Sequence, residues 1–338
     1  MIAEVASVHR TVLPGRAGGQ VAQFLNLFRW FAVSTAIFFC IHTPAMAAGG
    51  DGFTAVRAAY IPVINWLPAW VAKEKGLFEK NGLNVSLTAT QNVSVLPGTL
   101  GRQFDLAPST PPDLIKAVAG GLDVAAVAGE TVETKANPST HLIVRAESPI
   151  RSIADLKGRV VATPTLGAII HVSLLHGLKK NGIDPASIRA IEVPFPNMGD
   201  QLKAGNVDAV EALDPFAGQL LAAGNRSIGD PLLWEGDEVL YTFWIAQGKW
   251  AETHRREIAA WVTSLQQAKE FIDANPDEAR TILAKYTRLP APVVEKLPFP
   301  TYRFSLRLRD LGVWVAVLKE LGQIAGAVDE NRLIVKSE

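Results

Sequence analysis

From Phe53 onward the apolar positions of this chain switch between two periods. Phe53–Tyr60 reads as a strand. The run that follows, Leu67–Gly82, carries apolar residues at helical spacing and ends at glycines. Leu83–Ala89 alternates as a half-buried strand does. Phe104–Ser109 and Leu122–Gly129 are short buried-strand patterns, with a helix over Pro111–Ala119 between them. Strands at His141–Ala146 and Gly158–Thr163, a helix over Gly167–Lys180, and strands at Ile188–Val193 and Val207–Leu213 continue the series. Strand–helix alternation of this kind predicts an α/β fold of mainly parallel sheets flanked by helices.

Beyond residue 225 the pattern changes. Val239–Gln247 is β-branched and aromatic, a strand signal, and the chain is then helical almost to its end. Ile258, Trp261, Val262, Leu265 and Ile272 form an apolar stripe at helical spacing, which reads as core. Asn275-Pro276 opens a second helix, and Leu308–Gly322 forms a third. Two passages echo each other. LGRQFDLAPSTPPDL and LKAGNVDAVEALDPFAGQL each run from a Leu through a polar turn to an Asp that opens a short strand, with Pro near the next helix. The matched residues are Asp105 and Asp208, an echo that two related lobes would explain.

The first 47 residues differ from the rest. Arg10, Arg16 and Arg29 precede an apolar run from Trp30 to Ile41, and Ala45 and Ala47 stand at cleavage-site spacing. Basic, apolar and small-residue zones in that order predict a signal peptide over 1–47, cleaved near Ala47, and hence export to the periplasm. The apolar run, of about 12 residues, is too short for a stable anchor. The one cysteine, Cys40, lies inside this segment without the small residue expected before a lipidated cysteine. The mature chain would then hold no cysteine, which excludes thiol catalysis and disulfides. Basic and acidic residues balance at 33 each in the full chain. That balance leaves no footprint for nucleic acid.

No P-loop, G-x-G-x-x-G, G-x-S-x-G or HExxH motif occurs, and the four histidines of the mature chain form no metal-binding pair. The loops after strands are more informative, because ligands of open α/β sheets gather at the carboxyl ends of strands. Asn65 and Trp66 follow the first strand; they offer a hydrogen-bond donor and a flat wall, or equally a cap and a core residue. Ser109 and Thr110 precede Pro111-Pro112 and suit either a helix cap or an anion. Asp214 fits an N-cap best. In TPTLGAII, Thr165, Leu166 and Gly167 open a helix that carries His171, and a helix start exposes N–H groups that favour a small oxyanion.

Three segments carry a resemblance: AKEKGLFEKNGLNVSL, SPIRSIADLKGRVVATPTLGAIIHVSLLHGLKKNGIDPASI and LKAGNVDAVEALDPF. Over roughly residues 53 to 285 the chain resembles the periplasmic binding proteins of ABC importers for nitrate, sulfonates and taurine, a fold shared with thiamine-precursor binding proteins. The resemblance implies a two-lobed, type II-like binding protein with a two-strand hinge. Lobe 1 would be discontinuous, 48–145 plus 243–338, and lobe 2 would run 146–242, with His141–Ala146 and Val239–Gln247 as the crossing strands. By position it implies ligand contacts at Asn65, Trp66, Ser109, Thr110, Thr165, Leu166, Gly167, His171, Asp214 and Trp244. It also implies an exported monomer without cofactor or metal, delivering a small organic ligand, anionic or not, to an ABC permease and its ATPase. The departure from the family pattern is Leu166-Gly167-Ala168, where a hydroxyl donor is usual; Trp66 and Phe216 would suit a ligand with an apolar or aromatic part. Two alternatives stand beside this reading. One is binding or synthesis of a thiamine pyrimidine precursor, although the known chemistry of that synthesis uses cysteine. The other is the ligand-binding component of a sensor.

Overall fold

Parallel strands joined by helices build two α/β lobes in the structure, a computed structural model that describes residues 53–335. The signal-peptide, Cys40 and cleavage-site expectations lie outside the described residues.

The chain enters through β1 (Thr54–Tyr60), α1 (Leu67–Glu74) and β2 (Leu83–Ala89), the two strands pairing parallel from Thr54↔Leu83 to Tyr60↔Ala89. The helix expected over Leu67–Gly82 is broken in two, because Gly76 takes a left-handed backbone with φ +63° before a short turn at Leu77–Lys80. β3 (Ala107–Ser109), α2 (Pro111–Ala119) and β4 (Val124–Thr134) follow. The second lobe contains β5 (Thr140–Val144), β6 (Val160–Thr163), α3 (Ile169–Lys180), β7 (Arg189–Glu192), α4 (Phe195–Ala204), β8 (Ala209–Leu213) and β9 (Arg226–Ser227). β10 (Glu238–Gln247) returns to the first lobe, followed by α5 (Arg255–Ala274), α6 (Pro276–Thr287), β11 (Thr301–Tyr302) and α7 (Leu308–Glu320). The first lobe holds the β1-β2 pair and a sheet ordered β11-β4-β10-β3; the second holds a sheet ordered β7-β6-β8-β5-β9.

One crossing differs from the expectation. His141–Val144 does not bridge the lobes; it pairs with β8 and β9 inside the second sheet. β4 and β10 pair antiparallel inside the first sheet from Gln247↔Val124 to Glu238↔Thr134, and the chain passes between the two sheets after Thr134 and before Glu238. The strand expected to end at Gly129 runs on to Thr134, because Glu130, Thr131 and Glu133 are buried in it although their polarity reads as a loop.

The echo between the lobes is real in the structure. Asp105 brackets β1: its Oδ2 accepts the Arg57 N–H at 2.8 Å and its own N–H donates to the Arg57 carbonyl at 2.8 Å. Asp208 does the same to β6, with 2.9 Å from the Val160 N–H and 2.8 Å to the Val160 carbonyl. In both lobes the Asp thus fixes the entry of one strand against its parallel neighbour.

An aromatic chain fills the first lobe. Trp244 meets Trp66 and Trp261 edge-on at 4.9 and 4.8 Å, and Phe78 stacks on Trp261 at 4.6 Å. The stripe on α5 is core as expected, with Trp261, Leu265 and Ile272 buried. A second apolar cluster spans both lobes, joining Leu114 and Ile115 of α2 and Trp314 and Leu318 of α7 to Ile169, Ile170 and Val172 of α3. At the far end of α3 Lys179 donates to the Glu320 carbonyl at 2.5 Å, and His176 stands 3.3 Å from the Glu320 carboxylate.

Candidate functional site

Where the two lobes face each other lies a cavity of about 360 Å³. Ligand pockets of this kind run from roughly 300 to 1,000 Å³. The loop after β1 supplies Ile61, Pro62, Val63, Asn65 and Trp66, the loop after β2 supplies Gln91 and Val93, and Thr110 stands at the start of α2. From the second lobe come Pro164 and Thr165 after β6, the first turn of α3, Pro194–Pro196 after β7, and Leu213 and Phe216 after β8. Tyr241 and Thr242 of β10 and Thr287 of α6 complete the lining. The walls therefore come mainly from loops at the carboxyl ends of parallel strands. No Asp, Glu, Lys or Arg is among the lining residues.

Five of the ten expected site residues line this cavity: Asn65, Trp66, Thr110, Thr165 and His171. Asn65 donates to Thr131 Oγ1 at 3.1 Å, and that hydroxyl lies 2.6 Å from the hydroxyl of Thr242 in the cavity wall. The Thr110 hydroxyl donates to Asp113 at 2.5 Å. His171 is almost fully buried, and its Nδ1 accepts the Gly167 N–H at 2.9 Å. Burial, and then the charge of Lys116, push the imidazolium down to about 4 against the pull of Glu192. The ring is therefore neutral, and with Nδ1 accepting, the proton sits on Nε2. Nε2 is buried and has no hydrogen-bond partner.

The other five stand outside the lining. Trp244 is fully buried behind Trp66, and its indole N–H donates to Glu130 at 2.5 Å. Ser109 is fully buried and turned to the Thr110 carbonyl at 3.3 Å. Asp214 accepts the Gly218 N–H at 2.9 Å, a bond to the first turn of the helix that follows. Leu166 is exposed at 47%. Gly167 sits in the turn with φ +78° and is held from both sides. Its N–H goes to His171, and its carbonyl accepts Lys116 Nζ from the first lobe at 2.8 Å.

These bonds bear on the expected oxyanion. The Leu166 N–H donates to Glu192 at 2.9 Å and the Ala168 N–H to the Thr165 carbonyl at 3.2 Å. All three N–H groups of the turn are used within the protein.

Sequence reasoning missed Gln91, Val93, Phe195, Tyr241, Thr242 and Thr287. Phe195 carried a faint signal: it lies between two prolines after a strand, as a loop wall does, and it stacks on Phe216 at 5.6 Å.

Comparison with known proteins follows the same outline. The family model described as NMT1/THI5 like matches residues 63–279. The chain belongs to the NMT1/THI5-like family. Relatives include a protein of Escherichia coli (strain K12) described as aliphatic sulfonates-binding, 29% identical over 239 residues that cover 70% of this chain and 69% of the relative. A Haemophilus influenzae protein described as a thiamine biosynthesis protein is 29% identical over 228 residues, covering 64% of this chain and 68% of the relative. Among solved structures, the periplasmic aliphatic sulphonate binding protein SsuA from Escherichia coli superposes with a TM-score of 0.71 at 23% identity, covering 83% of this chain and 97% of SsuA. The two-lobed architecture of this family member is thus the periplasmic binding protein fold.

Proposed function

We propose that the protein is an exported solute-binding component of an ABC importer. It captures a small organic molecule between its lobes and delivers it, unchanged, to a permease with its ATPase. One observation carries the reading: the cavity is walled from both lobes, so a single ligand held there would touch both. A ligand with that geometry stabilises the arrangement in which the lobes meet, and the permease would read that arrangement.

Several features support it. The relatives' names point to binding of small solutes, and among the described residues no helix is long and apolar enough to cross a membrane. The basic, apolar and small-residue sequence of residues 1–47 supports export through a cleaved leader. The first lobe would run to about residue 134 and resume at about 238, with the second lobe between, in a monomer. Catalysis is not part of the proposal: His171 is the one histidine in the cavity lining, and burial holds its ring neutral.

A thermal-shift panel of sulfonates, aromatic acids and pyrimidines tests the reading, since a ligand that binds only the folded state raises its stability by mass action. The expected result is a concentration-dependent rise for one class. Small-angle scattering with that compound at saturation should show a reduced radius of gyration; an unchanged radius would remove closure from the account.

A further inference from the structure

The cleft also carries information on the chemistry of its ligand, an inference that rests on the reading of this cavity as the binding site. Four of its walls are aromatic: Trp66 and Tyr241 from the first lobe, and Phe195 and Phe216 from the second. The two phenylalanines stack with an interplanar angle of 7°, which leaves one continuous apolar wall across two loops. Flat rings set this way favour a flat or edge-on aromatic partner over an aliphatic chain of the same area. Charge is missing from the lining, and Lys116, beside the Gly167 turn, donates to the Gly167 carbonyl. The His171 Nε2–H is buried in the wall without an acceptor among the described residues. An N–H left so carries a desolvation cost that an acceptor atom on a ligand would recover.

We infer that the cleft takes a compound with an aromatic body and one hydrogen-bond acceptor, and that the neutral His171 Nε2–H is the donor that fixes this acceptor. The acceptor belongs to an oxyanion such as a sulfonate or to an uncharged carbonyl; the donor is the same for both. An inorganic anion or a one-carbon sulfonate offers the acceptor without the body and leaves the aromatic wall uncovered.

Calorimetric titration of the purified protein with benzenesulfonate, benzamide, methanesulfonate and nitrate tests this. At least one aromatic probe should bind, and at least tenfold more tightly than methanesulfonate and nitrate. The His171→Asn side chain keeps an acceptor for the Gly167 N–H and lacks the outer donor; it should weaken the bound aromatic probe about tenfold. His171→Gln, whose amide reaches toward the Nε2 position, should restore binding to within about threefold, and equal melting temperatures of the two variants exclude misfolding as the cause. Failure of both aromatic probes overturns the inference, as does an unchanged affinity in His171→Asn. Binding of nitrate or methanesulfonate as tight as that of the aromatics overturns the ligand class alone; if scattering also shows compaction with that anion, the solute-binding reading stands.

Discussion

Lys116 of the first lobe donates to the carbonyl of Gly167 in the second, Nζ to O 2.8 Å, and the N–H of the same glycine donates to His171. One residue thus ties the lobes together and fixes the ring that lines the cleft. Lys116 is half-buried, and burial pulls its ammonium below the usual lysine range. A hydrogen bond from a charged donor is worth about 1.5–3 kcal/mol. Lys116→Met keeps the length of the side chain and removes the bond. It should shift the unliganded protein toward a wider arrangement, seen as a larger radius of gyration in small-angle scattering, and weaken ligand about fivefold or more. Equal radii for the two proteins would show that the bond does not hold the lobes.

The turn itself tolerates little. Gly167 has φ +78°, and a Cβ there would come within 3.1 Å of Lys116 Nζ. Gly167→Val should therefore lose about 1–3 kcal/mol from backbone strain, and the cross-lobe bond as well. Gly98→Ala is the control, because a Cβ at Gly98 meets nothing within 4 Å and its φ is not positive. Urea unfolding should separate the two variants clearly; equal stabilities would contradict the account of the turn.

The pH response has an acid branch. His171 is held down to about 4, below its value of about 6.5 in an unfolded chain, by burial and by Lys116, with Glu192 opposing. The unfolded chain takes up this proton first. The contribution of the neutral ring is present above about pH 6.5 and lost as pH falls toward 4. His171→Asn cannot be protonated, so its melting temperature should fall less than the wild-type's between pH 7 and pH 4.5. A parallel fall would show that His171 titrates normally.

An alkaline branch comes from Glu211. It is fully buried in β8, and burial pushes it up to about 8, with the Thr163 hydroxyl pulling the other way. A carboxyl raised in the folded state gives a contribution that is complete below its unfolded value near 4.3 and declines as pH rises through 8. The slope between those values is at most about 1.4 kcal/mol per pH unit. Glu211→Gln keeps the shape and stays neutral, so it should be more stable than wild type at pH 8.5 and close to it at pH 5. Identical pH profiles in chemical denaturation would refute the assignment.

Much of this arrangement is legible in the sequence, for identifiable reasons. Alternating periods disclose the parallel strands and their helices, and the recurring Asp105 and Asp208 disclose a device used in both lobes. Asn65, Trp66, Thr110, Thr165 and His171 were legible because each follows a strand closely, where parallel sheets expose their ends. Tyr241 and Thr242 were not, because inside a β-branched, aromatic strand they read as core. Thr287 was not, because it ends a helix more than 200 residues after Ile61 and reaches the cavity only through the fold. Trp244 shows the opposite error: its strand borders the cleft, yet its ring lies one layer behind Trp66. The bonding of the turn before the helix was not legible either, since neither Glu192, which takes the Leu166 N–H, nor Lys116, which reaches the Gly167 carbonyl, stands beside residues 166–168 in the sequence.

The central claim is that one small molecule is held, unaltered, between the lobes. Native mass spectrometry of the protein with the best compound of the panel tests it most directly, run beside Phe216→Asp, which sets a charge into the aromatic wall. The account predicts a one-to-one complex that releases the compound at its original mass, and no complex with the variant. A released compound of changed mass, or a complex that persists undiminished in Phe216→Asp, would contradict it.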